Sequence, residues 1–500
     1  MKTFLNPIIP GFHPDPSICR VGSDYYLATS SFEYFPGVPI FHSRDLIHWK
    51  KIGHALTRDS QLDLRDAGDS GGIYAPTLRY HNGIFYMVTT HVYAKGNFYV
   101  TAKDPAGPWS EPIYLNQGGI DPSFLFDEDG KVYLTTSQNM QSEIDLATGE
   151  LLTEPRQIWA GSGGNDLEAP HLYKINGWYY LLCAEGGTHH GHMITIARSR
   201  SPWGPFESCP NNPILTNRHR AGHDVQATGH GDLFQAHDGS WWIVCLAIRT
   251  GKTHFPKTHH LGRETFLAPV TWDADGWPII NHSGTLDIET EAPRLPHQPF
   301  PEESPTDNFD APTLSPEWVH LRNPKPEHYS LNERPGWLRL KADANSSRKQ
   351  QPTTCLLRRQ TDFECTASTL LDFKPTEEGQ EAGMLVWMNS RFHYRCFLSI
   401  RSGRLHASLL KQIGDITHLA NSVEVDTLSG PYTLKVEANS ESYAFSIETS
   451  NCQKIDLGTG LVRLLTTEVA GGFTGMMLGI YANSCASPTT ADFDYFIYNS

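Results

Sequence analysis

The sequence has few charged residues and lacks any long apolar run. Of its 500 residues, 19% are charged, whereas roughly a quarter are charged in a typical soluble domain. No run of 18 consecutive apolar residues occurs, so a membrane-spanning helix is not expected. Lys/Glu/Ala-rich runs are also missing, which excludes a coiled coil. The 42 glycines and 34 prolines are too few for a collagen-like or low-complexity chain.

A surplus of basic residues is also lacking. Forty Lys and Arg residues stand against 55 Asp and Glu residues, and the formal net charge is −15. Nucleic acids and anionic membranes attract proteins through basic faces, so neither is an expected partner. A neutral oligosaccharide is compatible with this charge, and so is a homo-oligomer.

Cysteine pairs and nucleotide-binding motifs are absent as well. The nine cysteines are odd in number and form no Cys-x-x-Cys motif, so neither a structural zinc site nor a disulfide scaffold is expected. No phosphate-binding glycine loop stands in a supporting context. The first residues lack the apolar stretch of a signal peptide. We therefore expect a cytoplasmic protein with reduced thiols.

What the sequence does contain is one motif repeated five times within its first 300 residues. Each copy has a short apolar segment, a turn with Asn-Gly, Asp-Gly or Gly, and then an aromatic segment. The apolar segments begin at Asp15, Ala75, Asp121, Ala169 and Gly231. Such turns favour two antiparallel strands, and repeats of roughly 45 to 60 residues are typical of propeller blades. Hairpins of one large sandwich would not recur in this constant order, so we predict a five-bladed β-propeller.

The character of the sequence changes after the repeats. Residues 291–306 are rich in proline and have no apolar periodicity, which predicts a linker. Residues 307–500 contain short segments with alternating apolar and polar residues, a pattern typical of a β-sandwich of the jelly-roll or lectin-like type. The prediction is an all-β chain with a propeller over 1–290, a linker and a sandwich over 307–500.

Several polar residues occupy equivalent positions in the repeats. A propeller brings the beginnings of its innermost strands to one axis, so these side chains are expected to meet. Carboxylates that lie close together have pKa values driven apart, as acid–base catalysis needs. Taken singly, an Asp-Pro dipeptide is an ordinary turn. The residues at these positions are Asp15, Asp121, Glu168, His230 and Asp232.

Four further residues are candidates from their context. Glu185 ends an apolar aromatic segment, where burial would raise its pKa as a general acid requires; the alternative is a solvated glutamate entering a glycine turn. Arg263 could hold substrate hydroxyls or form a structural ion pair with a carboxylate. Phe32 and Tyr74 lie outside the repeat pattern and are candidates for a pocket wall.

The motifs around these residues resemble glycoside hydrolase family 43, in its two-domain β-xylosidase and α-L-arabinofuranosidase branch. The resemblance covers essentially the whole chain, and several long motifs occur in the order expected for the family. It rests on Phe12-His-Pro-Asp-Pro-Ser, Ser31-Phe-Glu-Tyr-Phe-Pro-Gly, Glu168-Ala-Pro-His-Leu-Tyr-Lys, Ala184-Glu-Gly-Gly-Thr and Gly262-Arg-Glu-Thr.

The resemblance implies an inverting glycoside hydrolase that requires no cofactor. By motif, Asp15 would be the general base and Glu185 the general acid. Asp121 would tune the pKa of the acid and help to position the sugar, and Arg263 would contact sugar hydroxyls.

The resemblance also implies three features of the pocket and its surroundings. Tyr74 stands where relatives usually have Trp, which alters one pocket wall. Phe473 belongs to a sandwich segment that, in relatives, helps to close the pocket. His230 would be the ligand of a divalent ion, calcium, at the propeller axis.

These inferences lead to one principal hypothesis and three alternatives. The principal hypothesis is an exo-acting β-1,4-xylosidase that releases xylose from the non-reducing ends of xylo-oligosaccharides during xylan degradation. An α-L-arabinofuranosidase, or an enzyme with both activities, is the next candidate. An endo-arabinanase and a non-catalytic carbohydrate-binding protein are the remaining ones.

Overall fold

The computed structural model describes residues 3–251, 257–292, 295–343, 354–426 and 430–500. Among these, almost all regular structure is β-strand, which confirms the all-β prediction. The helical segments are 3₁₀ turns at Ser137–Asn139, Pro326–His328 and Val462–Leu465, and the single-turn helix α1 at Thr467–Ala470. No helix within the described ranges is long and apolar enough to cross a membrane.

The chain divides into two compact units. The first comprises Met1–Thr250 and Arg263–Pro301, and the second comprises Gly251–Gly262 and Glu302–Ser500. A segment that the sequence analysis placed within the propeller therefore groups with the second unit. The boundaries drawn at 290 and 306 remain predictions, and residues 293–294 of the expected linker lie outside the described ranges.

The first unit is the predicted five-bladed propeller, with each blade built from consecutive antiparallel strands. Strand β1 (Thr3–Leu5) precedes the blades. Blade 1 contains β2 (Ser17–Val21), β3 (Asp24–Ala28), β5 (Gly37–Ser43) and β6 (Lys50–Leu56), and the short β4 (Tyr34–Phe35) lies between β3 and β5 in the chain. Blade 2 contains β7 (Gly72–Ile73), β8 (Thr77–His81), β9 (Ile84–Val92), β10 (Gly96–Ala102) and β11 (Ile113–Tyr114).

The remaining blades follow the same pattern. Blade 3 contains β12 (Ser123–Phe126), β13 (Val132–Thr136), β14 (Met140–Glu143) and β15 (Arg156–Gln157). Blade 4 contains β16 (Glu168–Ile175), β17 (Trp178–Glu185), β18 (Met193–Ser199) and β19 (Glu207–Ser208). Blade 5 contains β20 (Val225–Gln235), β21 (Trp241–Arg249), β22 (Glu264–Trp272) and β23 (Pro278–Ile280). Strand β24 (Glu289–Glu291) then pairs with β1.

The repeated turns have the backbone that their sequences predict. Asn82 and Gly83 join β8 to β9 with φ of 48° and 82°, and Asn176 and Gly177 join β16 to β17 with φ of 50° and 76°. Two consecutive positive φ angles are those of a type I′ turn, which Asn-Gly adopts at low cost.

Apolar side chains fill the space between neighbouring blades. Five separate clusters of buried residues lie between blades 1 and 2, 2 and 3, 3 and 4, 4 and 5, and 5 and 1. Burying one Leu, Ile or Phe side chain contributes about 1.5–3 kcal/mol, so each interface is a core of its own. Closure of this ring fixes the positions of the innermost strands.

The second unit contains two antiparallel sheets, as predicted for a sandwich. One sheet contains β25 (Thr306–Asp307), β27 (Tyr329–Ser330), β28 (Leu338–Ala342), β30 (Cys365–Phe373), β35 (Tyr432–Ala438), β36 (Ser442–Glu448), β37 (Lys454–Leu461) and β39 (Thr489–Asn499). The other has the order β29 (Thr354–Arg359), β38 (Met477–Ser484), β31 (Gln380–Asn389), β32 (Phe392–Arg401), β33 (Arg404–Ile413) and β34 (Ile416–Glu424). A short strand, β26 (His320–Leu321), precedes β27. Alternate residues of both sheets form one apolar core.

Candidate active site

The polar residues that the repeat aligns lie at the beginnings of innermost strands. Asp15 and Asp121 each precede their strand by two residues, and Glu168 is the first residue of β16. His230 lies inside β20, at a register shift between Gly229 and Gly231. Asp15, Asp121 and His230 have φ of 56°, 54° and 45°. Non-glycine residues in this region of φ are uncommon and concentrate at functional sites.

Asp15 is a buried carboxylate surrounded by positive charge. Its Oδ1 lies 2.9 Å from Arg263 Nη1 and 3.6 Å from His230 Nδ1, and Ser30 Oγ donates to its Oδ2. Burial by itself would raise the pKa of Asp15, but the charges of Arg263 and His230 and the Ser30 hydrogen bond outweigh burial and lower it. The carboxylate is therefore ionised at neutral pH.

Asp121 experiences the opposite balance. Its Oδ2 accepts a hydrogen bond of 3.1 Å from the backbone N–H of Ala169, which ties it to the beginning of β16. Burial raises its pKa, the charge of His230 lowers it, the charge of Asp15 raises it, and the net result is a raised pKa. The pKa values of Asp15 and Asp121 are therefore shifted in opposite directions, as expected of clustered carboxylates.

Glu168 completes a group of three acidic side chains. Its side chain is 20% exposed, and its Oε1 lies 3.9 Å from Nε2 of the buried His192. Burial is the main reason that its pKa lies well above the usual range, and the negative charges of Asp121 and Asp15 raise it further. Glu168 thus combines a carboxyl group whose neutral form is favoured with a partly exposed surface.

Glu185, the acid expected from the sequence, has a different environment. It is 0% exposed. Ser162 N and Oγ donate to its Oε1 at 2.8 and 3.0 Å, Thr195 Oγ1 donates to the same oxygen at 2.6 Å, and Gly164 N donates to Oε2 at 2.7 Å. Four donors therefore occupy the two oxygens of the Glu185 side chain. The enclosed position of Glu185 leaves its carboxyl group no exposed surface towards a substrate.

The loop around Glu185 explains why it is enclosed. Cβ atoms added at Gly161 and Gly164 would lie 3.1 Å from Glu185 Oε1 and 2.9 Å from its Cβ, respectively. The glycines of this loop therefore let the backbone approach the carboxylate closely and cover it.

Aromatic and guanidinium groups lie beside the carboxylates. The rings of Phe32 and Tyr74 have centroids 5.1 Å apart, and Arg263 Cζ lies 5.6 Å from the centre of the Phe32 ring. Arg263 Nη1 also donates to Thr188 Oγ1 at 3.2 Å. Burial raises the pKa of Tyr74 to about 12, so its hydroxyl stays a neutral hydrogen-bonding group.

Asp232 lies in the same strand as His230 but is committed to a structural network. Arg79 Nη1 and Nη2 donate to its two oxygens at 2.7 and 3.0 Å, and Tyr173 and Ser17 donate to it as well, each at 2.7 Å. This ion pair joins innermost strands of four blades and leaves Asp232 no role towards a substrate.

Two neighbours of the site escaped the sequence analysis. Burial lowers the pKa of His192 to about 3, so this ring beside Glu168 is neutral. A Cβ added at Gly229 would lie 2.2–2.3 Å from the His192 ring, so Gly229 is required by this close approach. The Gly229-His230-Gly231 sequence was the available signal for that contact. Ser30 had no comparable signal.

The remaining expected site residue belongs to the second unit. Phe473 follows α1 and is 39% exposed. Its closing role at the pocket stays a prediction.

The carboxylate of Asp15 lies close to His230, where a calcium ion was expected. The Asp15 oxygen nearest to His230 is already paired with the Arg263 guanidinium. Among the described residues, one group of three potential ligand side chains lies close enough to hold an ion, and it does not include His230. A calcium ion at His230 stays a prediction, and no step proposed below depends on one.

The propeller thus holds clustered acidic residues with opposed pKa shifts beside an arginine and two aromatic rings, an arrangement suited to glycoside hydrolysis. Residues 4–278 match glycosyl hydrolases family 43, and residues 306–499 match the β-xylosidase C-terminal concanavalin A-like domain. The chain belongs to glycoside hydrolase family 43, whose members act with inversion of configuration.

Individual relatives are similar over almost the full length. The chain is 46% identical to a non-reducing-end α-L-arabinofuranosidase of Bacteroides ovatus, over 99% of this chain and 94% of that protein. It is 41% identical to a xylosidase/arabinosidase of Butyrivibrio fibrisolvens, over 98% of each. The crystal structure of a xylan β-1,4-xylosidase from Bacillus halodurans superposes with a TM-score of 0.93 at 36% identity, covering 99% of this chain and 100% of that one.

Proposed function

We propose that this protein is an exo-acting enzyme that releases single terminal pentoses from short oligosaccharides, with both α-L-arabinofuranosidase and β-xylosidase activity. The observation that carries this proposal is the opposed pKa shift of Asp15 and Glu168 around one arginine. An inverting glycosidase needs one ionised carboxylate to activate water and one protonated carboxyl group to protonate the leaving oxygen.

Asp15 is the proposed general base. Its lowered pKa keeps it ionised, and its contact with Arg263 holds one oxygen in place while the other remains beside Ser30. Arg263 is proposed to contact the hydroxyls of the terminal sugar.

Glu168 is the proposed general acid, in place of Glu185. It is partly exposed and its pKa is raised, whereas Glu185 is enclosed by four donors. Asp121 supports this role because its charge raises the pKa of Glu168. The role that the family resemblance implies for Asp121, tuning the pKa of the general acid, is therefore kept, with Glu168 as that acid.

The dependence of kcat on the leaving group tests whether Glu168, rather than Glu185, is the general acid. Glu168→Gln is expected to lower kcat roughly 10²–10⁴-fold on xylobiose and on an arabinofuranosyl disaccharide. The loss should be much smaller on dinitrophenyl pentosides, because that leaving group departs without protonation. The matched variant Glu185→Gln is expected to reduce stability and to affect both substrate types equally. If Glu185→Gln instead lost activity mainly on the disaccharides, and Glu168→Gln lost it equally on both substrate types, Glu185 would be the general acid.

Two sugars compete as the natural terminal residue. The relative at 46% identity is named for α-L-arabinofuranosidase and the one at 41% for both activities, so we expect the higher rate on arabinofuranosides. The β-xylosidase structure with a TM-score of 0.93 favours xylosides as the second substrate. Rates on nitrophenyl α-L-arabinofuranoside and nitrophenyl β-xyloside measured side by side decide the order. Inactivity on both would contradict the proposal.

The products of polymer digestion test exo action. An exo enzyme releases monosaccharide from the first time point, whereas an endo-arabinanase releases mixed oligomers early. Chromatography of early digests of linear arabinan and of xylan separates the two outcomes, and early mixed oligomers would contradict exo action.

A further inference from the structure

Two histidines and one aspartate that take no part in the proposed reaction lie together on blade 1. Asp45 and His48 belong to the turn between β5 and β6, and His297 belongs to the segment that follows β24. One potential ligand atom of each side chain lies within 4.8 Å of the other two, and no other such group of three occurs among the described residues. Folding therefore brings metal-binding side chains from two distant parts of the sequence to one point.

Asp45 is a buried carboxylate that the backbone holds in place. It is 0% exposed. Its Oδ1 accepts from the backbone N–H groups of Ile47 and His48 at 3.0 and 2.8 Å, and its Oδ2 accepts from the backbone N–H of Gln298 at 2.8 Å. Burial by itself would raise the pKa of Asp45, but its hydrogen bonds outweigh burial and lower the pKa. Asp45 therefore offers an anionic oxygen in a fixed orientation, as a metal ligand requires.

The two imidazole rings lie beside this carboxylate and reach solvent. His48 Nδ1 lies 2.7 Å from Asp45 Oδ2, and the His48 side chain is 35% exposed. The rings of His48 and His297 meet edge to face, with centroids 5.1 Å apart, and His297 is exposed. An ion can therefore approach the three side chains from solvent.

Contacts on both sides of His297 hold its segment against blade 1. Leu295 is 4% exposed and packs in the apolar core between blades 5 and 1, which also contains Leu46 of the same turn. The backbone of Gln298 donates to Asp45, and the ring of Phe300 lies 5.4 Å from that of His42 in β5. His297 is thereby positioned without an ion, which lowers the cost of ordering it when an ion binds.

The donor set suits zinc better than calcium or magnesium. Zinc takes imidazole nitrogens and a carboxylate oxygen in sites with three protein ligands and one water, whereas calcium and magnesium prefer oxygen ligands alone. Zinc bonds of about 2.0–2.2 Å in tetrahedral geometry separate ligand atoms by roughly 3.3–3.6 Å. The ion would replace the proton between His48 Nδ1 and Asp45 Oδ2, and a neutral His48 would keep its proton on Nε2.

We propose that Asp45, His48 and His297 form a zinc-binding site that connects the segment of residues 295–300 to blade 1. Asp45 supplies one carboxylate oxygen, each histidine supplies one ring nitrogen, and water completes the coordination. Because a ligand that binds the folded chain stabilises it, zinc at this site stabilises the propeller where the chain leaves it. This site is independent of the proposed function.

A zinc titration of the full chain tests the site. The background carries Cys452→Ser and Cys485→Ser, because exposed thiols are themselves zinc ligands. Competition with a chromophoric chelator at neutral pH measures affinity and stoichiometry, and one zinc ion per chain is expected. Thermal unfolding should show a higher Tm with zinc. Calcium or magnesium at the same concentration should leave the Tm unchanged.

Two ligand variants and one control locate the ion. His297→Ala removes an exposed ring and should weaken zinc affinity roughly tenfold or more and abolish the rise in Tm. His48→Asn keeps an amide donor towards Asp45 but removes the imidazole, so it should give the same loss while the metal-free protein still folds. His418 is an exposed histidine of β34, and His418→Ala should leave both readouts unchanged.

The pattern over these variants decides the proposal. Weaker zinc binding in both His297→Ala and His48→Asn, with no change in His418→Ala, would support the three-residue site. Undiminished binding in either ligand variant would overturn it, because that histidine would not be a ligand. A parent chain that binds no zinc, or whose Tm does not rise with zinc, would overturn it as well.

Discussion

At the scale of single residues, position relative to solvent separates two glutamates that look alike in the sequence. Glu168 begins one strand of blade 4 and Glu185 ends the next, and both lie next to a glycine or alanine. Glu168 retains a surface and an environment that favours its neutral form, whereas Glu185 has four donors and no surface. The glycine loop that encloses Glu185 lies more than 20 residues upstream of it, so only folding brings the two together.

The opposed pKa shifts predict a bell-shaped pH dependence of kcat/KM. Activity should rise with pH as Asp15 ionises, with a midpoint below its usual value of about 3.9, because its pKa is lowered. It should fall again as Glu168 loses its proton, well above the usual glutamate range. Rate measurements between pH 3 and 9 check both limbs.

A matched pair of variants assigns the alkaline limb. On xylobiose, whose leaving group needs protonation, Glu168→Gln should abolish that limb in the residual activity, whereas Glu185→Gln should keep it. Persistence of the limb in Glu168→Gln would show that another group supplies the proton.

A second prediction at this scale concerns the glycine beside His192. Gly229→Ala places a Cβ within 2.2–2.3 Å of the imidazole, and overpacking of this kind costs typically 1–3 kcal/mol. Both the free energy of unfolding and kcat should fall, because His192 lies beside Glu168. Gly118→Ala is the control, since an added Cβ there meets nothing within 4 Å. Equal behaviour of the two variants in urea unfolding would contradict the packing argument.

At the scale of elements, a buried ion pair holds the innermost strands together. Arg79 of β8 and Asp232 of β20 meet at the axis, with Ser17 of β2 and Tyr173 of β16 as further donors. Burial would raise the pKa of Asp232, but the charge of Arg79 outweighs it and the pKa is lowered. The strands that carry Asp15, Glu168 and His230 are thereby fixed relative to one another.

Breaking this pair from one side should be strongly destabilising. Arg79→Met leaves the Asp232 charge buried and is expected to lower the free energy of unfolding by about 3–5 kcal/mol. Adding Asp232→Asn should recover part of the loss. Arg65 forms an exposed pair with Asp63, so Arg65→Met should change the free energy of unfolding by less than about 0.5 kcal/mol. Urea unfolding followed by tryptophan fluorescence gives these values, and additive losses in the double variant would contradict a direct interaction.

The pH dependence of the same variants has a defined sign. The folded-state pKa of Asp232 is depressed, so its contribution is fully present above the unfolded value of about 3.9 and is lost as the pH falls through the folded value. The difference in stability between the native chain and Asp232→Asn should be constant from pH 5 to 8 and shrink below pH 4.

At the scale of the whole molecule, the two units have separate cores and share one chemical property, free thiols. All nine cysteines are unpaired; seven are buried and two, Cys452 and Cys485, are exposed. Burial raises the pKa of buried cysteines such as Cys183 and Cys245, and the thiolate is the reactive form.

A thiol titration therefore has a sharp expected result. A disulfide reagent should modify two thiols in the native protein and nine after denaturation. Replacing Cys452 and Cys485 with Ser should abolish the native reaction. Rapid modification of more than two thiols without denaturant would show that one of the cores opens.

Much of the fold could be predicted from local sequence because its signals are local. Asn82-Gly83 and Asn176-Gly177 are type I′ turns by their own chemistry, and the alternation in β30 or β35 defines a half-buried strand without reference to its neighbours. Repetition of one unit five times then implies a closed ring, because each blade needs a partner on both sides to cover its apolar faces.

The sequence by itself determined the blades, the sandwich, and the convergence of Asp15, Asp121 and Glu168 on one axis. Only the tertiary structure decided which acid is exposed, which is enclosed, and which is neutralised by an arginine from another blade. The reason is physical: the pKa and reach of a carboxyl group depend on the charges and donors within a few ångströms, and here those groups come from distant parts of the chain. Asp232 and Arg79, 153 residues apart in sequence, share one ion pair at the axis.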